Sequence, residues 1–177
     1  IRIVRRYVDR MLVILPFEEE YYRVRGVNVD YVGHPLLEEF SIEGDRESLL
    51  RELGADPDLR TIALLPGSRK REVEYVLPSM LEASLEVQRR RPAQFLISVA
   101  PAIDARQITR ICSRVLKENQ QPDRFHIVTA SSRKILASAD FGFIKSGTST
   151  LEAALVGTPF LVTYRISPVS WALGNIL

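Results

Sequence analysis

Short, continuous apolar runs alternate along the chain with longer segments in which apolar positions recur every three or four residues. The runs Met11–Leu15, Asn28–Val32, Thr61–Leu65, Gln94–Val99, Phe125–Thr129, Asp140–Ile144 and Pro159–Tyr164 read as strands covered on both faces, because little in them alternates in polarity. The segments Phe17–Arg25, Asp45–Leu53, Arg71–Arg91, Ile103–Glu118, Ser131–Ala137 and Thr148–Val156 read as helices, with another starting near Pro168. Strand and helix in strict alternation predict an α/β fold: a Rossmann-like parallel sheet with crossover helices on both faces.

Several boundaries carry their own chemistry. Asp45 is placed to N-cap its helix, Gly54 to follow it as a left-handed residue, and Gly157-Thr158-Pro159 to stop the Thr148 helix before the next strand. Pro78 is expected to kink or split the Arg71–Arg91 segment, since it lacks an N–H and its ring crowds the preceding turn. At the start of the chain Ile1, Val4, Val8 and Met11 stand at helical spacing, with Arg2, Arg5, Arg6 and Arg10 between them. Such a helix suits either a solvated protein surface or an interface with anionic lipid heads.

Composition narrows the function classes. The chain has 177 residues, 46% of them hydrophobic, which suffices for a packed core and for one domain or one domain plus part of another. The 24 Lys and Arg against 22 Asp and Glu leave a net charge of +2, too little to draw nucleic acid by bulk electrostatics. A single cysteine, Cys112, excludes a disulfide framework and a thiolate zinc site, and its place in an apolar-periodic helix reads as core. No apolar run approaches the roughly 18 residues of a membrane span. Residue 1 is Ile, so the chain reads as a fragment whose natural N-terminus lies upstream.

Two loops carry candidate chemistry. In Leu65-Pro66-Gly67-Ser68-Arg69-Lys70-Arg71-Glu72 an apolar strand runs through a glycine turn into a helix. The helix start offers free N–H groups and a positive dipole to an anion, Ser68 adds a hydroxyl donor, and Arg69 a bidentate charge-assisted contact. Glu72, in the first helical turn, suits the dipole and is placed to orient Arg69. A plain strand-to-helix turn with a surface arginine has the same sequence. The spacing is neither that of a P-loop nor that of the dinucleotide fingerprint.

The second loop, Lys145-Ser146-Gly147-Thr148-Ser149-Thr150-Leu151-Glu152, again joins a strand to a helix. Its hydroxyl residues Ser146, Thr148, Ser149 and Thr150 surround Gly147 at a helix start, a setting for a diphosphate. Glu152, one turn in, is placed to accept hydrogen bonds from both hydroxyls of a ribose, although N-capping and a dipole partner would explain the same residues. Two anion-type loops in one sheet favour a nucleotide diphosphate. Thr129-Ala130-Ser131-Ser132 ends a strand on the same edge and suits either uracil contacts through the backbone or simple N-capping.

These motifs, together with Leu15-Pro16-Phe17-Glu18, Tyr31-Val32-Gly33-His34-Pro35 and Tyr164-Arg165, resemble the lipid-A-disaccharide synthase family over essentially the whole chain. The resemblance implies a GT-B glycosyltransferase of lipid A biosynthesis, a hexosyltransferase that joins UDP-2,3-diacylglucosamine to 2,3-diacylglucosamine 1-phosphate and releases UDP. It implies that residues 1–40 are the tail of an N-terminal Rossmann-like domain, 41–57 a linker and first helix of the next domain, and 58–177 the UDP-sugar-binding Rossmann-like domain with its C-terminal end truncated, so that the chain is truncated at both ends. On this basis Gly67, Ser68, Arg69, Glu72, Ser146, Gly147, Thr148, Ser149, Thr150 and Glu152 are expected to hold UDP. The catalytic base is expected in the absent N-terminal part, so this chain alone is expected to be inactive.

The same resemblance implies a cytoplasmic enzyme, peripheral at the inner face of the inner membrane, with a homodimer for the full-length protein. The sequence reads as having no Asp-x-Asp pair of the kind that would hold a divalent cation, so no metal or other cofactor is expected, UDP-sugar being a substrate. Another UDP-sugar enzyme, such as a UDP-N-acetylglucosamine epimerase, would use the same two loops, and a non-catalytic nucleotide-binding or lipid-surface module would need only these. His34 reads as a structural loop histidine with a cleft role as the alternative, and His126 as structural. Trp171 is expected to open a last helix that covers the cleft or faces lipid.

Overall fold

In the computed structural model, residues 1–37, 41–116 and 122–164 are described. The helix expected near Pro168, Trp171 and Arg165 lie outside them. The chain divides into two compact units, Ile1–Ser41 and Ile42–Leu177.

The first unit holds α1 (Arg2–Tyr7), β1 (Met11–Val13), α2 (Pro16–Arg23) and β2 (Val29–Tyr31). β1 and β2 run parallel with Met11 opposite Val29, the pairing a βαβ connection produces. Pro16 opens α2, where its missing N–H costs nothing, and the Leu15 N–H donates to Glu18 Oε2 at 3.1 Å. α1 buries no residue, and Ile3 and Tyr7 stand exposed. His34 Nδ1 accepts the Leu36 N–H at 3.2 Å, a contact within its own loop.

The second unit opens with α3 (Arg46–Glu52), capped by Asp45, whose side chain accepts the Ser48 N–H at 2.8 Å. Then follow β3 (Arg60–Leu65), α4 (Lys70–Arg90), β4 (Ala93–Ser98), α5 (Ala105–Val115), β5 (Phe125–Val128), α6 (Ser132–Ser138), β6 (Phe141–Lys145), α7 (Thr148–Val156) and β7 (Phe160–Thr163). The five strands are parallel throughout, in the order β5-β4-β3-β6-β7. The chain winds outward from β3 through β4 to β5, then crosses back to β6 and continues outward on the other side. β3 and β6 therefore flank the point where the winding reverses, the place where open α/β sheets leave a crevice at their carboxyl ends.

Period-two alternation divides the core between the two faces. Ile62, Leu64, Phe95 and Ile97 pack with Val73, Leu77, Met80 and Leu81 of α4 and Ile108, Ile111 and Cys112 of α5. Ala63, Leu65, Leu96 and Ile144 pack on the other face with Leu50 of α3, Ile135 and Leu136 of α6, and Ala153 of α7. Burial pushes the Cys112 thiol up to about 11, which leaves it inert as well as buried. Full cover on both faces holds for β3 and β4 only: Leu161 and Val162 of the outer strand β7 are half exposed.

Of the kink or split expected at Pro78, the split is corrected, because α4 runs unbroken from Lys70 to Arg90. Val76, Leu77, Met80 and Leu81 on both sides of Pro78 are buried against the sheet, and that packing holds the helix through the defect. The carbonyl that Pro78 leaves without its helical donor belongs to Glu74, an exposed residue. At the amino edge of the sheet Asp140 receives Arg46 Nη2 at 2.9 Å, Arg60 Nη1 at 3.0 Å and the Thr61 N–H at 2.8 Å. Asp56-Pro57-Asp58, an Asp-x-Asp pair by sequence, also precedes β3 at this edge, where Asp56 Oδ1 accepts the Asp58 N–H at 3.0 Å.

Candidate functional site

β3 and β6 pair with Leu65 opposite Ile144, so the turns that follow them leave the sheet side by side. A cleft of about 740 Å³ opens there. Gly67, Ser68, Arg69 and Glu72 line one wall, and Lys145, Ser146, Gly147, Thr148, Ser149 and Glu152 the other. The ends of β4 and β5 close its far side through Ser98–Pro101 and Thr129–Ser132. The helix starts of α4 and α7 both border this cleft, and neither carries a side-chain cap, which leaves their first N–H groups and dipoles for an anion.

Glu72 organises the first wall. Its Oε1 receives Arg69 Nη1 at 2.8 Å and Lys145 Nζ at 3.0 Å, and its Oε2 receives the Ser68 N–H at 3.2 Å. Burial by itself would raise the pKa of this carboxyl, but the hydrogen bonds from Lys145 and Arg69, the Lys145 charge and the Ser68 N–H outweigh it and leave Glu72 below its ordinary value. Gly67 has φ +116°, and a Cβ built there would stand 2.6 Å from Glu72 Oε2. The backbone angle favours glycine at this position, and a Cβ here would have to displace the end of the Glu72 side chain.

On the second wall Glu152 accepts the Ser132 hydroxyl at Oε2, 2.6 Å away, and Arg133 Nε lies 3.7 Å from its Oε1. Ser131 caps α6 by accepting the Lys134 N–H at 3.3 Å, so one serine of the Thr129–Ser132 loop caps its helix while the next holds Glu152. Thr150 is not among the lining residues: its hydroxyl turns back to donate to the Gly147 carbonyl at 2.7 Å. Gly147 itself is extended, and nothing crowds its Cβ position, so here the backbone does not demand a glycine. Gly157 ends α7 in the left-handed conformation, with its N–H bonded to the Ala153 carbonyl at 3.0 Å.

Three parts of this site lie beyond the sequence reading. Lys145 and the Ser132–Glu152 contact join residues from different elements, and nothing in their local sequence announces them. The Ser98–Pro101 turn had a signal, since it ends a buried strand on the same edge as the two recognised loops. His126 lies on β5 outside the cleft, and burial, with the nearby Arg124, pushes its pKa down.

The model of one protein family, lipid-A-disaccharide synthetase, matches residues 1–177. The chain belongs to the lipid-A-disaccharide synthetase family. Curated relatives of that name include a Syntrophus aciditrophicus protein, 41% identical over the whole chain and 45% of its own length. Others come from Syntrophotalea carbinolica and Koribacter versatilis, 36% and 37% identical over the whole chain and 44% of their own length. The chain therefore spans less than half the length of the family members it matches. A Listeria monocytogenes structure named for UDP-N-acetylglucosamine 2-epimerase aligns with 82% of this chain and 34% of its own at 20% identity and a TM-score of 0.45, a likeness too slight to bear on activity.

Proposed function

We propose that residues 58–177 are the UDP-sugar-binding domain of a glycosyltransferase of the lipid-A-disaccharide synthase type. Residues 1–40 belong in this reading to the preceding Rossmann-like domain, with 41–57 as linker and first helix. The enzyme transfers 2,3-diacylglucosamine from UDP to 2,3-diacylglucosamine 1-phosphate. One observation carries the reading within a chain of this family: the Gly67–Arg69 turn and the Thr148 helix start border a single cleft where the sheet reverses its winding.

The chemistry follows from what the transfer needs. As the glycosidic bond to UDP breaks, negative charge builds on the departing diphosphate, and helix starts and cations already aimed at it stabilise that charge without reorganisation. Ser68, Arg69 and the first N–H groups of α4 take one phosphate; Ser146, Gly147, Thr148 and Ser149 take the other. Glu152 accepts the ribose hydroxyls, its geometry held by Ser132. The Thr129–Ser132 backbone borders the space for uracil. The base that activates the acceptor hydroxyl belongs to the part of the relatives' length that this chain does not span. Among the described residues no helix is long and apolar enough to cross a membrane. In this reading the whole enzyme is a peripheral protein of the cytoplasmic face of the inner membrane, where acylated sugars would lie, and a homodimer.

Calorimetric titration with UDP and uridine tests the reading. UDP should bind more tightly than uridine, and Arg69→Ala should remove about 1.5–3 kcal/mol from UDP binding alone. Arg69→Lys should recover only part of it, for want of the bidentate fork. Equal affinity for the two ligands would sink the assignment.

A further inference from the structure

Neither the sequence reading nor the proposed function uses Lys145, and core packing does not explain it. It ends β6 after Phe143 and Ile144, and its side chain points into the cleft wall with only 17% exposure. A lysine held so far out of water is costly unless its ammonium is paired. Its partner is Glu72, 18% exposed, which Arg69 contacts through the same carboxylate oxygen, Oε1. The other oxygen accepts the Ser68 N–H and lies against Gly67. One carboxylate thus ties together the turn after β3, the first turn of α4 and the end of β6.

The charge count is the telling feature. A structural ion pair at this spot needs one cation, yet a single carboxylate here serves two, and the bond to Glu72 uses only part of the donor capacity of each. The surplus positive charge stands between two uncapped helix starts, beside Ser146, Gly147 and Thr148. A ligand with several anionic oxygens spread over both loops matches that donor set; a monoanion would leave one wall unused.

We propose that Lys145 is a second diphosphate-binding cation of the cleft, acting from the β6 side as Arg69 acts from the α4 side, with Glu72 as the positioning residue that aims both. This rests on the nucleotide reading above and adds a claim that fails separately from it.

Titrations of the 177-residue chain, its Lys145→Met variant and its Glu72→Asp variant with UDP and with uridine test it. Lys145→Met should weaken UDP binding by roughly ten- to a hundredfold and leave uridine unchanged. Its UDP affinity should also fall less steeply with salt. Glu72→Asp keeps the charge but draws the oxygens back by one methylene, and it too should lower the preference for UDP over uridine. In the unaltered chain, UDP but not uridine should slow acylation of Lys145 by an amine-reactive reagent, read by mass spectrometry, so the outcome does not depend on the folding of a variant. If the unaltered chain prefers UDP while Lys145→Met keeps that preference and UDP gives no protection, the role of Lys145 is overturned and the nucleotide reading stands. If the unaltered chain binds UDP and uridine alike, both are overturned.

Discussion

Gly67 shows at the scale of one residue how local backbone and distant charge depend on each other. Its φ of +116° disfavours any side chain, and the space a Cβ would need is taken by Glu72 Oε2 and, at 3.0 Å, by the Glu72 Cβ. Gly67→Ala should therefore lower stability by about 1–3 kcal/mol. It should also swing Glu72 away from Ser68, and with it Arg69 and Lys145, so UDP affinity should fall much further than uridine affinity in parallel titrations. A thermal melt that shifts while the UDP preference survives would show the turn to be structural only. The Pro66-Gly67-Ser68-Arg69 motif was legible in the sequence because the glycine, the hydroxyl and the guanidinium act on their own neighbours. The contact of Arg69 with Glu72 was legible for the same reason, but Lys145 and Ser132 as partners of Glu72 and Glu152 were not, because Lys145 lies 73 positions from Glu72 and Ser132 lies 20 positions from Glu152.

Among the elements, α4 sets local propensity against tertiary packing. The proline rule alone kinks or divides this helix at Pro78, yet one continuous helix lays Val73, Val76, Leu77, Met80, Leu81 and Leu85 on the sheet. Fully burying side chains of this size is worth about 1.5–3 kcal/mol each, which offsets a penalty of about 3 kcal/mol for the proline. Pro78→Ala should consequently raise stability by about 1–3 kcal/mol, seen as a higher urea midpoint at unchanged slope. An unchanged or lower midpoint would mean that the pyrrolidine ring packs well enough to repay its lost hydrogen bond. Elsewhere the expected elements differ from the observed ones by a few residues at the ends. Strand β1, expected over Met11–Leu15, stops at Val13 because Leu15 already serves as the N-cap of α2.

At the scale of the whole molecule, sheet order makes the site. Loops far apart in sequence meet because β3 and β6 are neighbours, and the helices that follow them begin at the same edge. On the proposed reading a cleft open on one side holds a donor but does not align an acceptor, and bringing two reactants into attack geometry accounts for about 7–11 kcal/mol of a transfer barrier. The chain alone should thus bind UDP yet form no disaccharide from UDP-2,3-diacylglucosamine and 2,3-diacylglucosamine 1-phosphate. Adding the remaining length of a family member, fused or in trans, should restore turnover that survives chelator. Turnover by the chain alone would place the base within these residues and return Glu72, Glu152 and His34 to consideration.

By itself the sequence determined the parallel α/β class, the order of elements in the second unit, the two loops at helix starts and the family to which they point. All of these rest on near-neighbour chemistry: apolar periodicity, capping, and the conformational needs of glycine and proline. Tertiary structure alone decided that β3 and β6 are adjacent, that α4 survives Pro78, that Lys145 joins Arg69 on Glu72 and that Ser132 meets Glu152. Those outcomes depend on which surfaces meet when the sheet assembles, and burial against a partner distant in sequence overrides what any local stretch of chain prefers.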